Sequence, residues 1–69
     1  MVGLAAARKG LHITQDALAR VAGINRVTVS NIETGRTVPN KPTRRKVESA
    51  LRLLGWAGTA ADLWGGEGQ

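Results

Sequence analysis

Apolar residues recur at helical rather than strand spacing along most of the chain. Leu4, Ala7 and Leu11 stand three and four residues apart, which predicts a first helix from about Val2 to Gly10 or Leu11, with Gly3 and Gly10 weakening its ends. Leu18, Val21 and Ala22 make the apolar face of a second helix that opens at Gln15. Thr14 is placed to cap it, and Asp16 falls in the first turn, where negative charge suits the helix dipole. Gly23 follows the last periodic residue and can take the left-handed conformation that lets the chain turn sharply. Asn25, two residues on, is a strong N-cap for a third helix. That helix turns Val29 and Ile32 inward and leaves Arg26, Val27, Thr28, Ser30 and Asn31 on the outside, with no acid among them.

The pattern then lapses. Residues 36–46 hold two prolines, no apolar period and five of the ten Lys and Arg residues, which reads as a loop running into a basic helix start. Val47, Ala50, Leu51 and Leu54 follow at i, i+3, i+4 and i+7, an amphipathic fourth helix that Gly55 terminates. Its N-cap is Asn40 or Thr43; Asn40 places Pro42 within the first turn, where a missing N–H matters little, and this favours Asn40. Arg44, Arg45 and Lys46 crowd the positive end of the helix dipole in either case. The arrangement is unfavourable unless an anion lies opposite, the alternative being a merely solvated basic face. Thr59 to Asp62 fits a capping box with aspartate in the usual glutamate position, implying a short fifth helix through Trp64. Residues 65–69, glycine-rich and without apolar side chains, predict a flexible tail. The expectation is an all-α bundle of about five short helices forming one domain over residues 1–64, with no internal repeat.

Composition narrows the chemistry. A chain of 69 residues builds a core only marginally able to offset its conformational entropy, so self-association is a natural expectation. There is no cysteine, and the single histidine, His12, cannot complete a metal site with five acidic residues. Disulfide, zinc and thiol chemistry are excluded on this count, and no metal or cofactor is expected. With no paired carboxylates either, no catalytic constellation is offered and an enzyme is not expected. His12 falls in the connection before Ile13 and reads as an exposed loop residue. The net charge of +5 favours a polyanionic partner, nucleic acid ahead of an anionic membrane surface, but charge alone does not choose. The opening MVGLAAARKG has too short an apolar run for a signal peptide or a membrane span, so a cytoplasmic protein is expected.

The twenty residues 15–34, QDALARVAGINRVTVSNIET, carry a more specific signal. Gln15 opens the first helix, Ala19 is small where two helices must approach, and Gly23 sits at the turn. Leu18, Ala22, Ile24, Val29 and Ile32 fill the apolar slots, and Glu33 with Gly35 closes the stretch as Glu-x-Gly. At these residues the chain resembles the helix-turn-helix of the lambda-repressor and Cro-like (XRE-type) family of bacterial and phage DNA-binding domains, and more loosely it does so from about Leu4 to Trp64. One departure is visible: the spacing from Gly35 to the apolar face of the fourth helix is about three residues longer than is usual there. The resemblance also implies a partner for Glu33, since the family commonly has an arginine where Arg8 stands. An acid between Ile32 and Gly35 would be partly buried, and a planar guanidinium could satisfy it bidentately; the alternative is two independently solvated charges.

What the resemblance implies is sequence-specific binding of double-stranded DNA. The helix from Arg26 to Thr34 enters the major groove and the helix from Gln15 bridges the backbone beside it. Chemistry then assigns roles. Arg26 can donate a bidentate pair to guanine, Asn31 can read adenine, and Val27 can pack on a thymine methyl group. Gln15, Thr28 and Ser30 are short polar groups suited to phosphate, and Arg36, Thr37, Asn40, Lys41 and Arg44 would hold the flanking backbone. A transcriptional regulator follows, of the phage repressor or Cro-like kind or encoded in a small autoregulated operon, acting on the bacterial nucleoid. It would act as a homodimer on a palindromic operator, with Leu53, Trp56, Leu63 and Trp64 offering the apolar surface for the second copy. The rival is a protein-interaction adaptor or coactivator that keeps this fold; it should lose the polar readers of the third helix, and here they are kept.

Overall fold

The structure, a computed structural model, describes residues 3–64. Five helices succeed one another: α1 (Gly3–Gly10), α2 (Gln15–Ala22), α3 (Arg26–Glu33), α4 (Lys41–Leu53) and α5 (Ala60–Trp64). The start at Val2 and the tail at residues 65–69, both expected above, lie outside the described residues. The third helix ends one residue sooner than its expected limit, with Thr34 as its C-cap and the Thr34 hydroxyl donating to the Ser30 carbonyl at 2.9 Å.

The caps explain why each helix starts where it does. Thr14 Oγ1 accepts from the Ala17 N–H at 3.0 Å, Asn25 Oδ1 from Val27 at 2.8 Å, and Asn40 Oδ1 from Thr43 at 3.0 Å, each satisfying a donor that the first turn leaves without an intrahelical partner. Asn40 is therefore the cap of α4, with Pro42 in the first turn. Gly23 ends α2 in the left-handed region, φ 74°, and its N–H returns to the carbonyls of Ala19 and Arg20. The Thr59 and Asp62 box is closed in both directions, from Thr59 N–H to Asp62 Oδ2 at 3.0 Å and from Asp62 N–H to Thr59 Oγ1 at 3.4 Å.

Leu18, Val29, Val47 and Leu51 are the largest fully enclosed side chains, one each from α2 and α3 and two from α4, and Leu4 and Ala7 close the core from α1. Small residues decide the approach of α2, where Ala19 and Ala22 are both buried at the contacts with α3 and α4. Two expectations are corrected here. Val21 is 43% exposed rather than part of the inward face, because Leu18 and Ala22 already span the contact and Val21 falls beyond its edge. Leu63 is 5% exposed and belongs to the core, since α5 folds back on α1; it is not available to a second chain.

Candidate nucleic-acid interface

The outer face of α3 is built by the same periodicity that buries its inner one. Val29 is fully enclosed, so residues two before and two after it turn to the opposite side: Val27 is 56% exposed, and Asn31, one turn later, shares its face. Arg26 projects from the first turn and is exposed, while Thr28 and Ser30 flank the face and are half-buried. The one acid in residues 25–45, Glu33, points the other way, its side chain only 6% exposed. The outward face is left with a guanidinium, an amide, two hydroxyls and a branched methyl pair.

Arg8 is what turns Glu33 inward. Its Nε donates to Glu33 Oε2 at 2.6 Å and its Nη2 to Oε1 at 3.0 Å, the bidentate geometry that a planar fork permits, while Nη1 donates to the Ile13 carbonyl at 2.8 Å. The arginine thus ties α1 to the end of α3 and to the segment that leads into α2. Gln15 completes the set, donating from Nε2 to Glu33 Oε1 at 3.0 Å. Burial alone would raise the Glu33 carboxyl. The hydrogen bonds from Arg8 and Gln15, with the charges of Arg8 and Lys9, outweigh it and hold the carboxyl below its ordinary range. The Arg8 guanidinium is held above its own, chiefly by the hydrogen bond to Glu33 and against the effect of burial.

Beside α3 the chain folds back along it. The N–H groups of Arg36 and Thr37 both donate to the Asn31 carbonyl, at 2.9 and 3.3 Å, so this segment leaves α3 in a fixed direction and runs to the start of α4. Arg36, Thr37, Asn40 and Lys41 are all exposed along it. These residues and the outer face of α3 are consecutive in the chain, and the hydrogen bonds to Asn31 pin the one to the other.

Two expected phosphate residues are placed differently from the rest. The Gln15 amide is engaged with Glu33, inside the bracket that joins α2 to α3. Arg44 is half-buried, its guanidinium 5.5 Å from the centre of the Trp64 ring and its Nε donating to the Pro39 carbonyl at 3.2 Å. Trp64 in turn donates from Nε1 to Glu48 Oε2 at 2.6 Å. Nothing in the sequence pattern foretold this cluster; the single hint was that Arg44 and Glu48 stand one turn apart on α4. Of the other residues expected at a subunit contact, Leu53 is 80% exposed and Trp56 half-buried, its ring 5.4 Å from the Arg52 guanidinium.

The polar face of one short helix beside a basic segment is a surface suited to a DNA groove and its phosphates. The family described as helix-turn-helix matches residues 4–54, and the chain belongs to it, in the lambda-repressor-like (XRE) group. Comparisons with curated proteins and with solved structures gave no match. The chain is thus a double-stranded-DNA-binding module of the transcription-regulator kind, in a family that is regulatory rather than enzymatic. Among the described residues no helix is long and apolar enough to cross a membrane.

Proposed function

We propose that this protein is a sequence-specific transcriptional regulator that reads the major groove with α3, as a phage-type repressor or Cro-like protein or as the regulator of a small autoregulated operon. One observation carries the reading: α3 turns the Val29 and Glu33 side chains inward and presents exposed Arg26 and Val27 with half-buried Asn31 on a surface free of acids. Arg26 offers two parallel donors to guanine O6 and N7. The Asn31 amide matches adenine N6 and N7, and Val27 between them meets a thymine methyl group. Thr28 and Ser30 reach the phosphates at the groove's edge, with Gln15 positioned by Glu33 at the start of α2. Arg36, Thr37, Asn40 and Lys41 serve the backbone beyond it, while Arg44, expected to join them, is held between the Trp64 ring and the Pro39 carbonyl. An adaptor built on the same fold would be expected to present acids or apolar residues on this face instead.

One helix reads only a few base pairs, too few to single out an operator among genomic competitors, so two copies act together. The pairing surface is formed by Leu53 and Trp56 at the end of α4, Trp64 being engaged with Arg44 and Glu48 instead, and the operator is a palindrome whose half-sites lie about 34 Å apart. The place of action is the nucleoid, in the cytoplasm of a bacterial or phage-infected cell. Selection of bound duplexes from a random pool tests the whole reading at once. It should return a short motif containing a guanine and an adenine, repeated in inverted orientation about one helical turn away. A pool that stays random after selection would contradict it.

A further inference from the structure

Helix α5 lies beyond residues 4–54, the stretch that the helix-turn-helix family matches, and the DNA-reading role has so far given it nothing to do. Leu63 accounts for its packing, being buried in the core. Trp64 packs against the edge of that core and does more. It is half-buried, and both its recognition features are spent on polar groups of α4: the ring face meets the Arg44 guanidinium at 5.5 Å, and the indole N–H donates to Glu48 at 2.6 Å. Arg44 then reaches out of its helix to the Pro39 carbonyl at 3.2 Å. The connection runs from the last described residue, through α4, to the segment between α3 and α4.

We propose that Trp64 is a positioning residue for DNA-backbone binding: with Glu48 it fixes the Arg44 guanidinium, which fixes the Pro39 carbonyl and so preforms the segment that carries Arg36, Thr37, Asn40 and Lys41. The inference rests on the DNA-binding reading above and adds to it a role for α5. The physical reason is entropic. Residues 35–40 have no helix of their own, and their far end is anchored to α4 through the Asn40 cap and the Arg44 bond to Pro39. Without that anchor the cost of ordering the segment exceeds what its phosphate contacts return, so those contacts stay unmade in the complex and both the affinity and the number of phosphates neutralised fall. Arg44 is suited to this task because its guanidinium can stack on an aromatic face and donate in its plane at the same time.

The test is the salt dependence of binding to a non-specific duplex, because each phosphate contact contributes about 0.9 to the slope of log K against log salt. A loss of folded protein lowers K without changing that slope. The full chain is compared with Trp64→Leu, Trp64→Phe, Arg44→Gln and the double variant Trp64→Leu with Arg44→Gln, all well below their melting temperatures. Trp64→Leu should show a slope shallower by at least one contact, Trp64→Phe should restore most of it by returning an aromatic face, and the double variant should be no worse than Arg44→Gln alone. Should Trp64→Leu fail to fold, Glu48→Ala and Glu48→Gln decide the matter. Each deletes a negative charge, which by electrostatics alone tightens DNA binding, but only the glutamine can still accept the indole N–H. Glu48→Ala binding more weakly than Glu48→Gln, with a shallower slope, supports the positioning role. An unchanged slope in folded Trp64→Leu, additive losses in the double variant, or equal binding by the two Glu48 variants overturns it. Absence of salt-dependent duplex binding by the parent protein overturns the DNA reading itself, and this inference with it.

Discussion

Arg8 and Glu33 stand 25 residues apart in the chain and meet in two hydrogen bonds, Nε to Oε2 at 2.6 Å and Nη2 to Oε1 at 3.0 Å, with side chains only 11% and 6% exposed. The pair holds α1 against the far end of α3 and keeps the one acid of the basic surface turned inside. Removing one partner strands the other, and breaking such a pair costs about 3 kcal/mol, a large share of the stability open to so small a domain. Glu33→Gln and Arg8→Met should each melt well below the parent in thermal denaturation. Melting temperatures equal to the parent's would show that the pair is solvated in effect.

The same pair sets an acid limit on folding. The Glu33 carboxyl is held below its ordinary range in the folded state, so its contribution is fully present above the unfolded value, about pH 4.3, and is lost as pH falls through the folded value. The stability gap between the parent and Glu33→Gln, followed by urea denaturation, should therefore be constant above about pH 5 and narrow on further acidification. A gap that widened in acid would give the carboxyl the opposite sign.

Trp56 and Gly58 predict a steric effect away from the candidate interface. The Trp56 ring lies so close over Gly58 that a Cβ at this position would come under 3.0 Å from three ring atoms, and Arg52 covers the other features of the turn, stacking on the ring and donating to the Gly58 carbonyl at 3.3 Å. Gly58→Ala should displace the ring and destabilise the protein by about 1–3 kcal/mol, the usual range for overpacking. A changed indole emission spectrum in a Trp64→Phe background would report the displacement; an unchanged spectrum and melt would remove the close approach.

Much of this architecture was legible in the sequence because it is local. The caps Thr14, Asn25 and Asn40 and the Thr59 and Asp62 box depend on side chains reaching backbone groups two or three residues away, and the turn at Gly23 on that residue's own left-handed backbone. Helical period identified Leu18, Val29, Val47 and Leu51 as core for the same reason. What depends on tertiary approach was harder to read. Val21 is on the apolar side of α2 by period, but the width of the contact with α3 and α4 leaves it outside. Leu63 is buried because α5 folds onto α1, a packing choice that five residues cannot announce. The engagement of Gln15 with Glu33, and of Arg44 with Trp64 and Pro39, likewise needs the helices already in place. The Arg8 and Glu33 pair was foreseen only through the family resemblance.

The proposed self-association would use the edge left after Leu63 is assigned to the core. Leu53, 80% exposed at the end of α4, is the apolar side chain there with least contact to its own chain. Leu53→Asp should leave the melting temperature nearly unchanged, since it removes no core packing, and abolish cooperative binding to a palindromic duplex in a mobility-shift titration. Cooperativity retained by the folded variant would place the pairing surface elsewhere.

The central claim is that α3 reads bases while the segment after it holds the backbone, and the contrast between Arg26→Ala and Lys41→Ala tests it most directly. Binding is measured for both variants against the selected operator and a set of single-base variants of it. Arg26→Ala should lose about 1–3 kcal/mol on the selected operator and become indifferent to one base pair, the guanine it pairs with, while Lys41→Ala should weaken every duplex about equally and reduce the salt slope by about one contact. If Arg26→Ala kept the parent's preference at every position of the site, α3 would not be the reading helix.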